Sequence, residues 1–144
     1  MMNEKNIWFM PDAVTTELKG STEKEIIEGL VSLLEKTGNV TDRNQVISDI
    51  MERQKAGSTF LCNEISVPHA TSKGVSAICA AAGISENKKI YVIAVWPECT
   101  PHNLKYIAAM INFLNSEKTL KQLLSAPDNG EFFRIFENGV KDRL

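Results

Sequence analysis

Histidine is scarce in this chain: His69 and His102 are its only two in 144 residues. Cysteine is nearly as rare. Cys62, Cys79 and Cys99 form an odd set without regular spacing, which excludes a disulfide framework. Cys62 and Cys79 fall in strand-like apolar runs, where a free thiol behaves as a small hydrophobe. No run approaches the roughly 20 apolar residues of a membrane span, so no direct membrane insertion is expected. Residues 1–6 lack the basic and apolar blocks of a signal peptide. With the cysteine usage, this gives the expectation of a reduced, cytoplasmic protein. Charge of one sign is also lacking: the formal net charge is −2, with an isoelectric point of about 5.7. A nucleic-acid binder normally needs a basic face, so no nucleic-acid partner is expected. There is no Gly-x-Ser-x-Gly elbow for serine hydrolysis and no glycine-rich nucleotide loop.

What is present suits an ordinary globular protein, with 43% hydrophobic and 24% charged residues. The length suits one domain over 1–144. Residues 7–10 read as a strand or extended cover for the core, closed by Pro11-Asp12. Residues 18–21 read as a connection. Thr22 and Glu25 have capping-box spacing. The stripe Ile26, Ile27, Leu30, Val31, Leu33 and Leu34 then predicts a helix, with Gly38 after its end. A second helix starts near Asp42, with Gln45 as capping partner. It buries Val46, Ile47, Ile50 and Met51 and ends around residues 55–57.

A strand is expected from Phe60 toward Val67, stopped by Pro68, with His69 presented at its carboxyl end. Residues 77–84 read as a buried strand with helix as competitor, and 87–89 as a turn. Residues 90–96 are nearly continuous, β-branched and aromatic, as in a central strand covered on both faces. Thr100 and Pro101 open a helix as N-cap and first residue. Its expected buried face is Leu104, Ile107, Ala108, Ile111 and Leu114. Ser116 caps a shorter helix ended by Pro127. Asp128 and Glu131 cap a last helix closed by Gly139. About four to five strands and five helices predict a layered α/β domain, a mixed sheet flanked by helices on both sides.

Both histidines follow proline, and both follow a strand by a few residues. If those strands are neighbours, the two imidazoles share one cleft. A neutral imidazole nitrogen attacks phosphorus without a separate base, and the phosphohistidine formed can pass its group onward. His102 falls in the first turn of its helix, where backbone N–H groups and the dipole favour anions. Arg53, in the last turn of the second helix, carries a fork that matches phosphate oxygens. It also suits the helix C-terminus as a solvated charge. Cys99-x-x-His102 with His69 offers three zinc-compatible ligands. A structural zinc site wants four, so a small metal-binding protein is the weaker reading. Glu64 and Glu98, near the Pro-His pairs, read as solvated charges.

The run 53–59, Arg-Gln-Lys-Ala-Gly-Ser-Thr, followed by Ile-Ser-Val-Pro-His-Ala at 65–70, resembles the signature of enzyme IIA proteins of the bacterial sugar phosphotransferase system, fructose/mannitol type. Pro-His-Asn-Leu at 101–104 resembles that family's second histidine region. The resemblance implies phosphorylation of His69 by the phosphocarrier protein HPr and transfer to a cysteine on a IIB protein or domain of a membrane sugar permease. It implies that His102 and Arg53 hold the phosphoryl group, and that neither metal nor organic cofactor is needed. One departure is visible: residues 83–89 join two strands directly where the family usually has a longer segment. A regulatory relative, whose phosphorylation state controls a partner, is the alternative.

Overall fold

The structure, a computed structural model, describes residues 9–57, 60–62 and 64–144. A 3-10 turn at Pro11–Ala13 leads into strand β1 (Val14–Leu18), followed by helices α1 (Glu23–Glu35) and α2 (Arg43–Lys55). Three short strands come next: β2 (Phe60–Cys62), β3 (Ile65–Ser66) and β4 (His69–Thr71). The long strands β5 (Cys79–Ser85) and β6 (Ile90–Trp96) form a hairpin. Helices α3 (Pro101–Leu114), α4 (Glu117–Leu124) and α5 (Asn129–Lys141) complete the described chain. The strands form one mixed sheet in the order β1-β5-β6-β3-β2, with β4 also beside β6. The expected α/β sandwich of helix, sheet and helix is thus the observed one.

Strand β6 is central because both of its faces are apolar. Val92, Ala94 and Trp96 point into a core shared with α3, α4 and α5. Ile93 and Val95 point into a second core, made with α1 and α2. Strand β5 repeats the pattern with small residues: Ala80, Ala82 and Ile84 on one side, Cys79 and Ala81 on the other. Burial on both faces is what decides strand over helix for this alanine-rich run. Phe9 seals the first core, packed on Phe133 and Phe136. The rest of the expected segment at its start, residues 7 and 8, lies outside the described residues.

The caps form as their residue types dictate. Thr22 and Glu25 make the reciprocal capping box of α1. Asp42, Thr100, Ser116 and Asp128 each accept a backbone N–H three residues on, at the starts of α2, α3, α4 and α5. Gly38, at φ +82°, takes the left-handed turn after α1 that a side chain would strain. The side chains of Gln45 and Glu131 do not reach back to their caps. They bond to Asp49 and Arg134 instead.

Four expectations need correction. Val14–Leu18 is a strand, parallel to β5, where the sequence suggested no element at 14–17 and a connection over 18–21. It is an edge strand of Val-Thr-Thr-Glu-Leu, too short and too polar to declare itself. Second, the run from Phe60 does not continue straight to Pro68. It folds as a β2–β3 hairpin, and the chain then tracks β6 in parallel from Glu64 to Ser72. Pro68 interrupts that track because it has no N–H to donate, yet its carbonyl still accepts from the Ala94 amide at 3.1 Å. His69 therefore begins β4 and does not hang from the end of a strand. Third, α3 buries Tyr106, Ile107, Ala109, Met110, Phe113 and Leu114, while Leu104 is 40% exposed. The bulky Tyr106-Met110-Phe113 stripe outweighs the lighter one through Leu104 and Ala108. Fourth, Gly139 lies inside α5, against the Phe113 ring, and does not close the helix.

Candidate functional site

His69 is built from the strand outward. Its register partner is Ala94, and Thr71 stands opposite Trp96. Ala70 faces the α1–α2 core, so alternation turns the His69 side chain to the α3 side. There its ring lies beside the buried Trp96 indole, centroids 6.1 Å apart and planes 21° from parallel. The ring is half-buried. Its Nδ1 is 2.6 Å from the Val67 carbonyl oxygen. A carbonyl only accepts, so Nδ1 carries the proton and donates. The Nε2 lone pair is left for chemistry.

His102 follows from the same strand. β6 ends at Trp96, four residues cross the sheet edge, and α3 begins with Thr100 Oγ1 accepting from Asn103 N at 3.1 Å. His102 is exposed in the first turn, edge-on to Tyr106 at 5.6 Å. Because β4 and β6 are parallel neighbours, both histidines fall on the α3 side of the sheet, near the carboxyl end of β6. No hydrogen bond or ring contact joins one to the other. Arg53 stands apart: α2 covers the opposite face, over Ala70. Its Nη1 lies 3.4 Å from the Gly57 carbonyl, and no hydrogen bond or ion pair links it to either imidazole. Ser58 and Thr59, which follow it in the motif, lie outside the described residues.

The cysteines divide by environment. Burial pushes the Cys79 thiol up to about 12, against the smaller downward pull of its bond with Thr37. Cys99 is exposed in the loop before α3. Among the described residues, no group of three or more His, Cys, Asp or Glu side chains could hold a metal ion. A cavity of about 440 Å³ opens on the α1 side, lined by Thr22, Glu23, Gln54, Ser66, Pro68 and Tyr91 among others, and neither imidazole faces it. Among the described residues, no helix is long and apolar enough to cross a membrane.

Two contributors escaped sequence reading. The Val67 carbonyl has no sequence signal, since every residue carries one. Trp96 did have a signal: an indole at the last position of a buried strand, between the two Pro-His pairs. Its Nε1 is buried and has no hydrogen-bond partner among the described residues. A buried donor left unmade costs about 1–3 kcal/mol, so the position carries an expense that a phenylalanine would avoid.

Fold and geometry together define a class: a small α/β protein holding one tautomerically fixed histidine at the edge strand of a mixed sheet. The particular family is equally plain. The chain belongs to the family described as "Phosphoenolpyruvate-dependent sugar phosphotransferase system, EIIA 2", whose model matches residues 8–139. The fructose-specific EIIABC component of this system in Bacillus subtilis (strain 168) is 27% identical over 134 residues, 84% of this chain. Those residues are 21% of the Bacillus protein, so the chain spans about a fifth of that relative's length. In structure, the nitrogen regulatory protein IIA-Ntr from Neisseria meningitidis matches with a TM-score of 0.80 at 17% identity, over 93% of this chain and 99% of that one. IIA mannitol from Escherichia coli matches with 0.67 at 19% identity, over 87% and 96%. The Escherichia coli complex of enzyme IIA mannitol and phosphorylated IIB mannitol matches with 0.70 at 19% identity, over 90% and 99%. These likenesses share the fold of this chain.

Proposed function

We propose that residues 1–144 act as one EIIA domain of the phosphotransferase system, a cytoplasmic phosphoryl relay. It takes a phosphoryl group from phospho-HPr on His69 and passes it to a cysteine of a IIB component. The observation that carries this reading is the 2.6 Å approach of His69 Nδ1 to the Val67 carbonyl. It fixes the protonated nitrogen inward and leaves Nε2 as the nucleophile. The Nε2 lone pair forms the new N–P bond as the old P–N bond breaks and its electron pair returns to the donor imidazole. Little more than positioning and charge stabilisation is asked of the protein. His102, at a helix N-terminus on the same side of the sheet, and Arg53 would close on the phosphoryl oxygens.

The test is radiolabel transfer from phospho-HPr. The wild-type protein takes up label and His69→Ala takes up none; label persisting on His69→Ala sinks the assignment. His102→Ala is expected to keep the label but acquire it at least tenfold more slowly, since removing one charge-stabilising donor costs about 10²–10³ in other enzymes. A regulatory role is the second reading, kept by the short β5–β6 hairpin, closed by Lys88 N to Ser85 O at 3.0 Å, where the family usually has a longer segment. Onward transfer to a IIB cysteine separates the two: a relay discharges to it and a regulator does not.

A further inference from the structure

We propose that Trp96 is the positioning residue of His69 and that its indole face stabilises the charge this imidazole acquires on phosphorylation. The inference rests on the reading of His69 as the phosphorylated residue. When the Nε2 lone pair bonds to phosphorus and the donor's P–N bond breaks, the Nδ1 proton stays, held by the Val67 carbonyl at 2.6 Å. The His69 ring thus passes from neutral imidazole to imidazolium while the phosphoryl oxygens carry the negative charge. Two groups flank that ring as positive charge develops on it. The Val67 carbonyl takes the N–H, and the Trp96 indole lies beside the ring, near-parallel and offset at 6.1 Å. Indole is the aromatic face best suited to a cation.

The surroundings of Trp96 argue that its face is the useful part. The residue is 4% exposed, and its Nε1–H has no acceptor among the described residues. The polar handle is therefore idle, and phenylalanine would fill an apolar site without it. What indole adds over phenyl is a larger, more electron-rich ring, and the His69 imidazole lies near-parallel beside it. The register fixes the arrangement: Thr71 pairs with Trp96 and His69 with Ala94, so the two rings occupy neighbouring strands on the same face.

The experiment uses fluorinated tryptophans, which weaken the face of the ring and nearly preserve its shape. In a Trp8→Phe background Trp96 is the only tryptophan. Protein carrying tryptophan, fluoro-, difluoro- and trifluorotryptophan is phosphorylated by phospho-HPr in single-turnover rapid-quench assays. Fluorination also acidifies the indole N–H, but among the described residues that group has no partner through which to act. The expected result is a stepwise fall in the limiting rate, about two- to fivefold across the series, with an unchanged half-saturating concentration of phospho-HPr. A structural role alone would not order the rates by fluorine count. A flat series in protein that labels on His69 overturns the role of Trp96 and leaves the relay reading standing. Absence of His69 label in the unfluorinated protein overturns the relay reading, and this proposal with it.

Discussion

At the scale of single residues, the sequence displays the proposed nucleophile but not its chemistry. Two Pro-His pairs stand out because histidine is scarce. Neither says which ring nitrogen reacts. That is set by the Val67 carbonyl, two residues back, which holds Nδ1–H at 2.6 Å. The expected product is therefore phosphorylation at Nε2. Phosphorus NMR of the labelled protein, which separates the two phosphohistidine isomers, checks this; the Nδ1 isomer would contradict the hydrogen bond. The cysteines give a second residue-scale prediction. With its thiol pushed up to about 12 by burial, Cys79 has almost no thiolate at pH 8. In a Cys62→Ser background, iodoacetamide should modify Cys99 alone in the native protein, with Cys79 reacting only after denaturation. Mass spectrometry reads the sites, and native labelling of Cys79 would contradict its burial.

Among the elements, what was legible follows from how local the cause is. Caps depend on four neighbouring residues, and all five α-helix starts among the described residues could be read from Thr22, Asp42, Thr100, Ser116 and Asp128. The site's helix, α3, could be placed but not rotated: Leu104, Ala108 and Ile111 compete with Tyr106, Met110 and Phe113 on a helix that is apolar almost all round. Which stripe wins depends on the sheet and on α5, neither of which is visible locally. Strand β1 escaped for the same reason, since its pairing partner lies far along the chain in β5. Gly139 shows the opposite error. A glycine near a helix end suggests a stop, but this one lets α5 approach α3, and a Cβ there would overlap the Phe113 ring. Glycine to alanine inside a helix normally stabilises by up to about 1 kcal/mol. Here overpacking should reverse the sign, so Gly139→Ala is expected to destabilise by about 1–3 kcal/mol. Urea denaturation checks it, and a stabilised variant would show that Phe113 moves aside freely.

For the molecule as a whole, layers were readable and strand order was not. The nearly continuous apolar run at 90–96 announced a strand covered on two faces, and amphipathic helices on both sides of it in sequence announced the covers. The order β1-β5-β6-β3-β2 depends on long-range pairing that no single segment encodes. That order has an energetic consequence. The two cores are not independent, because β5 and β6 supply side chains to both: Val92 and Trp96 to one, Ile93 and Val95 to the other. Melting α1 and α2 away would strip one face of the central hairpin, and the strands that hold the α3–α5 core would lose their support. The two layers should therefore unfold together. In the Trp8→Phe background, Trp96 fluorescence reports the α3 side of the sheet, while far-ultraviolet circular dichroism reports helices on both sides. Coincident urea transitions are expected, as for a two-state domain of this size. A circular dichroism transition that precedes the fluorescence change would show that α1 and α2 leave first. The sheet would then be a boundary between two separately stable halves, not the shared wall on which His69 and Trp96 are held in register.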